Sequence, residues 1–135
     1  MLACDDRCLT DLSPLGLDHV QVAAPAGSEG DARRFYGELL GMAEVVKPDA
    51  LRGRGGAWFA CGHHQLHVGI AEPFAPATKA HPALLFRSDE LARVAQRLEA
   101  AGCDVHWDDA IPGTLRFFTA DPWGNRIELV GAEGR

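Results

Sequence analysis

Two stretches of the chain carry the same succession of apolar and polar positions. From Leu17, the run Leu17-Asp18-His19-Val20-Gln21-Val22-Ala23 alternates, with Val20 and Val22 on one side and His19, Gln21 and Ala23 on the other. This predicts a strand with two unlike faces. Ala32, Phe35, Tyr36, Leu39 and Leu40 then recur at three- and four-residue steps, predicting a helix near 29–40 that Ser28 caps and Gly41 ends. A short strand around Ala43 to Lys47, a strand from Ala57 to Cys61, a turn at Gly62-His63-His64 and a strand from Gln65 to Ile70 complete the order βαβββ.

After a linker around Pro73 and Pro76 the same order begins again. His81 to Phe86 reads as a strand, and Ser88 caps a helix near 89–101 with Leu91, Val94, Ala95 and Leu98 on one face. Gly102 ends that helix, and Cys103 to Trp107, Thr114 to Thr119 and Arg126 to Val130 supply three more strands. The turn Asp121-Pro122-Trp123-Gly124-Asn125 precedes the last of them. From first-strand histidine to post-helix glycine the two stretches take 22 and 21 residues, and from that glycine to His67 or Glu128 both take 26. Register kept over a whole unit predicts a duplicated α+β fold. It places one domain over 15–133, with module one at about 17–72 and module two at about 80–131, behind an aperiodic arm over 1–14.

Composition narrows the possible partners. At 135 residues the chain suits one domain, and such a chain buries roughly 68% of the surface of its unfolded form. Thirteen basic against 19 acidic residues give a net charge of −6, and no basic stripe is interleaved with aromatics, so nucleic acid is excluded as a partner. No stretch approaches the ~20 apolar residues of a membrane span, and the first residues have neither a basic start nor an apolar core. A cytoplasmic protein without membrane contact is expected. Cys4, Cys8, Cys61 and Cys103 form no CxxC pair and read as reduced thiols.

Strand periodicity also orients the candidate chemistry. His19 and His81 lie opposite their apolar neighbours, as do His67 and Glu128, so helices covering the apolar faces leave all four on one side of the fold. Three imidazoles and a carboxylate suit a divalent ion such as Zn²⁺, Ni²⁺, Fe²⁺ or Mn²⁺, with positions left open for substrate or water. The plainer reading is four lining residues satisfied by hydrogen bonds. Lys47, Arg52, Arg54, Lys79 and Arg116 fall at strand ends or loops around the same cavity and favour a small anionic substrate. Arg116 is in phase to stand beside Glu128, and pairing of these basic residues with Glu44, Asp49 and Glu72 is the alternative. His63, His64 and His106 read as surface residues. Arg52-Gly53-Arg54-Gly55-Gly56 lacks the strand-to-helix context of a phosphate loop.

Three segments carry a family resemblance: Leu17-Asp18-His19-Val20, Arg34-Phe35-Tyr36-Gly37-Glu38-Leu39-Leu40-Gly41-Met42, and Asp121-Pro122-Trp123-Gly124-Asn125-Arg126-Ile127-Glu128-Leu129. Together they resemble the vicinal oxygen chelate superfamily of glyoxalases, bleomycin-resistance proteins and extradiol dioxygenases, over nearly everything from Leu17 to Gly131. The resemblance implies paired βαβββ modules forming a cupped, half-barrel pair of mixed sheets, commonly completed as a homodimer. It also implies a divalent metal at His19, His67, His81 and Glu128, inside one subunit or across the dimer.

An enzyme acting on a small oxygen-chelating substrate follows, with Glu128 as ligand and catalytic base. Glyoxalase I departs from this chain in carrying a glutamate where His67 stands. Fosfomycin-modifying thiol transferases would match His19, His81 and Glu128, but their phosphonate-binding residues have no counterpart here. Extradiol dioxygenases need two histidines and a carboxylate, which this set supplies, but they are generally longer. Bleomycin-binding members use no metal, and as such a protein the chain would sequester a ligand in a pocket walled by Trp58, Phe118 or Trp123. Apolar surface at Trp58, Phe59 and Phe74 is a further reason to expect a dimer.

Overall fold

A computed structural model describes residues 12–133, so the expected arm falls largely outside it, together with Cys4 and Cys8. Strand β1 (His19–Ala24) leads into a helix that is α-helical over α1 (Glu29–Ala32) and π-helical over Arg33–Leu39. Strand β2 (Glu44–Val45), a 3₁₀ turn at Asp49–Arg54, β3 (Ala57–Cys61) and β4 (His64–Ile70) follow. The second module repeats the order as β5 (Ala83–Phe86), α2 (Ser88–Ala100), β6 (His106–Asp108), β7 (Arg116–Ala120) and β8 (Arg126–Gly131).

Each module makes one four-stranded mixed sheet, ordered β1-β4-β3-β2 and β5-β8-β7-β6. The α+β duplication read from spacing is therefore present as two sheets of identical topology. First and last strands pair in parallel, a pairing that needs a crossover, and here the helix and two hairpin strands supply it. Gln21 pairs with His67 and Ala83 with Glu128. In both modules the histidine thus sits two residues before the partner of the last-strand donor, so His19 and His81 are equivalent although β5 begins after His81.

The period-two pattern sorts the faces as expected. Val22, Phe59, Leu66, Val68, Leu84, Phe117, Ile127 and Leu129 turn toward the helices and join Phe35, Tyr36, Leu39, Leu91 and Leu98 in one core shared by both modules. Phe59 is only 1% exposed, which corrects its expected place in an uncovered apolar surface. The alternate residues His19, Gln21, Trp58, His67, Phe118, Arg126 and Glu128 lie on the helix-free face, called the open face below.

Helix termini depart from the expected caps. Ser28 precedes α1 but its side chain caps nothing, and its hydroxyl is buried without a partner. In the second module Arg87 holds the cap position and Ser88 is already helical. The π-helical stretch, with Leu40 N–H donating to the Phe35 carbonyl at 3.0 Å, carries no sequence signal. Gly56 has φ +80°, and any Cβ there would run into the Val68 carbonyl, so the Gly-Arg loop is glycine-rich because it lies against the β4 backbone.

The turn before β8 locks the modules together. The buried Tyr36 hydroxyl donates to Asp121 Oδ2 at 2.7 Å, and the Asn125 amide donates both to Asp121 Oδ2 and to the Ala23 carbonyl, each at 2.8 Å. Burial, then the Asp121 charge, raise the Tyr36 phenol well above its ordinary range, so it stays a neutral donor. Tyr36→Phe would leave a buried carboxylate one donor short. Denaturant unfolding of that variant should show a loss of about 1–3 kcal/mol; a loss below a few tenths would mean that the turn does not hold the modules.

Candidate functional site

Two donor pairs occupy the open face, one per module. In module one the rings of Trp58, His67 and His19 form a stacked column. Trp58 and His67 centroids are 3.9 Å apart at 2°, and His67 and His19 are 4.2 Å apart at 19°. Strand register builds this column, because Trp58 pairs with His67 across β3 and β4 while His19 lies diagonal to His67 across β1. His67 is buried, and its Nε2 faces Gln65 Oε1 at 2.8 Å. Burial, then the neighbouring His19, lower the His67 pKa, which favours a neutral imidazole able to take a cation.

In module two His81 Nε2 faces Glu128 Oε1 at 2.9 Å. Arg116 Nη1 donates to the other carboxylate oxygen at 3.2 Å, and its Nε and Nη2 donate to Asp108 Oδ1 at 3.1 and 2.8 Å. The Ala110 N–H, then Arg116, hold the Asp108 carboxyl below its usual range, and the Asp108 bond in turn raises the Arg116 pKa. Arg116 stands beside Glu128 as its strand phase implied, but its donors are committed to two carboxylates. It positions Glu128, and a substrate anion would have to displace those bonds.

The two equivalent histidines are tied in the same way. His19 Nδ1 donates to Asp18 Oδ2 and His81 Nδ1 to the Lys79 carbonyl, both at 2.8 Å. A partner on Nδ1 is the usual outer-shell arrangement of a metal-binding histidine, although His81 Nε2 here meets Glu128. Among the described residues no three His, Cys, Asp or Glu side chains of one chain gather at a point that could hold a metal. The chain brings His19 to His67 and His81 to Glu128, and leaves the pairs apart.

The remaining expected residues separate. Lys47 Nζ donates to the Gly55 carbonyl at 2.6 Å, and Arg52 pairs with Asp49. Trp58 belongs to the ring column. Phe118 meets the His81 ring edge-on at 5.6 Å. Asp18, Gln65, Asp108 and Arg126 were not singled out from the sequence. Asp18 adjoins His19 and could have been; Asp108 becomes visible only once register pairs it with Arg116.

Comparison with known proteins agrees with the topology. The family model described as the Glyoxalase/Bleomycin resistance protein/Dioxygenase superfamily matches residues 16–129. A crystal structure from Bacillus anthracis assigned to the glyoxalase family shares 46% identity, with 89% of this chain and 97% of that one covered and a TM-score of 0.84. Lactoylglutathione lyase from Agrobacterium tumefaciens has the same fold at 20% identity, covering 90% and 98%, with a TM-score of 0.69. A variant of the fosfomycin resistance protein FosX from Listeria monocytogenes, complexed with Mn(II) and 1S,2S-dihydroxypropylphosphonic acid, does so at 16% identity, covering 88% and 93%, with a TM-score of 0.72. None of the curated proteins matches the chain. The chain belongs to the Glyoxalase/Bleomycin resistance protein/Dioxygenase superfamily.

Proposed function

We propose that the protein is a homodimeric, cytoplasmic, metal-dependent enzyme that acts on a small, anionic, oxygen-chelating substrate. The observation that carries this reading is the equivalence of the two pairs: His19 with His67, and His81 with Glu128, stand at matching positions of duplicated sheets. Each pair supplies half of a three-nitrogen, one-carboxylate set suited to a borderline divalent ion. Because the pairs stay apart within a chain, module one of one subunit would face module two of its partner, in an isologous arrangement that makes two sites. The free thiols Cys61 and Cys103 fit a reducing compartment.

Polarisation of a carbonyl, or stabilisation of an enolate, chelated through two oxygens is the chemistry a divalent ion supplies when bound there. The chain's own residues do the rest. Arg116, braced by Asp108, keeps the Glu128 carboxylate oriented. Glu128 can then bind the cation and exchange a proton with the substrate. The Trp58 column holds His67 in one ring plane and keeps water from its inner face.

A metal-free binding protein is the second reading. It is favoured by the hydrogen bonds that already satisfy His67, His81 and Glu128, and by the aromatic wall of Trp58 and Phe118. Elemental analysis of untagged protein purified without chelator separates the two. The enzyme reading expects one metal per subunit and at least a tenfold loss of affinity in His81→Ala; wild type that takes up no divalent ion when supplied would leave the binding role. Arg116→Ala should keep the fold and lower metal affinity about 10–100-fold, the range for outer-shell partners. Unchanged affinity in calorimetry would remove its positioning role.

A further inference from the structure

Two arginines contact the ring of Phe118 and differ in one respect. The Arg116 guanidinium carbon lies 5.1 Å from the ring centroid and its donors go to Asp108 and Glu128. The Arg126 guanidinium carbon lies closer, at 4.0 Å over the same ring, and its side chain donates to no protein group among the described residues. Arg126 is half-buried against an aromatic face, and a guanidinium partly stripped of water without an anionic partner is costly. Its backbone is fixed by the N–H donating to the Ala77 carbonyl at 2.9 Å, and by pairing with Ala120, whose small side chain leaves the space above open.

Placement completes the case. Arg126 lines a cavity of about 470 Å³ with Phe118, Trp107 and His106, and also a groove of about 630 Å³ that contains His81. It precedes Glu128 by one pleat on the same face of β8, roughly 7 Å along the strand. The carboxylates of Asp104 and Asp108 also border the first cavity. Asp108 is occupied by Arg116 and the Ala110 N–H, and it acts on Arg126 only through space.

We propose that Arg126, resting on Phe118, is the anion-recognition residue of this open face and takes the terminal oxyanion, carboxylate or phosphonate, of a small substrate with an apolar or aromatic body. This deepens the functional reading above, resting on its placement of substrate at module two, and it replaces Arg116 as the substrate's cationic partner. A planar guanidinium fork fits such oxyanions through two parallel hydrogen bonds, and Phe118 offers an apolar wall for the body. A ligand spanning roughly 7 Å would reach from Arg126 to the oxygens presented at Glu128.

The test is a titration of the intact protein with benzoate, phenylphosphonate and the uncharged benzamide, followed by the Arg126 Nε–Hε resonance and by calorimetry. Benzoate or phenylphosphonate should shift that resonance and bind at least tenfold more weakly to Arg126→Gln, while Arg52→Gln, altered at an exposed residue, binds as wild type; the tighter of the two identifies the oxyanion class. Arg126→Lys, keeping charge but not the fork, should fall between, so that a misfolded Arg126→Gln leaves the test standing. Equal binding of benzoate and benzamide, a silent Arg126 resonance, or wild-type affinity in Arg126→Gln overturns the proposal. Repeating the titration with Mn²⁺-supplied and chelator-treated protein separates the two ideas. Arg126-dependent binding in protein that takes up no metal keeps the anion site and defeats the metal reading, whereas metal uptake with Arg126-independent binding does the reverse.

Discussion

Parallel pairing of the first and last strand within each module is the constraint on which the site depends. It sets Gln21 opposite His67 and Ala83 opposite Glu128, so each first-strand histidine lands diagonally beside a donor from the far end of its module. A slip of one residue in either pairing would turn His67 or Glu128 toward the helices and bring Leu66 or Ile127 to the open face. The shared core on the opposite face resists that slip, because Leu66, Val68, Ile127 and Leu129 are all nearly inaccessible to solvent there. The hydrophobic pattern that folds the sheets is thus the same device that aims these four side chains.

The two halves of the site have diverged in chemistry while keeping position. Module one presents two imidazoles in an aromatic column, with Asp18 and Gln65 on their outer nitrogens. Module two presents an imidazole and a carboxylate at one end of a polar chain running from His81 through Glu128 and Arg116 to Asp108. One half rests on ring stacking and the other on carboxylate contacts. A cation entering between them would draw on soft nitrogen donors from one side and on an oriented oxygen donor from the other.

Much of this was legible in the sequence, for physical reasons. Period-two alternation fixes which side of a strand a residue faces, so the open-face location of His19, His67, His81 and Glu128 could be read directly, as could the duplication from its matched spacing. Lateral relations could not. Nothing local distinguishes Arg116, tied to Asp108 and Glu128, from Arg126, which has no such partner among the described residues, because that difference is set by register between β6, β7 and β8. The placement of Phe59 in the core and the π-helical Arg33–Leu39 likewise depend on tertiary packing. Ser28 and Ser88 have the residue type of a cap, but neither hydroxyl caps its helix.

The central claim is that a complete four-donor set forms only between two copies. The most direct measurement mixes two metal-free variants, His19→Ala/His67→Ala and His81→Ala/Glu128→Ala, under conditions that exchange subunits, and counts bound metal. Each variant alone should bind none. If module one of one subunit faces module two of the other, a mixed dimer retains one intact site, and an equal mixture should recover about a quarter of the wild-type stoichiometry. Recovery near zero after demonstrated exchange would contradict the shared site.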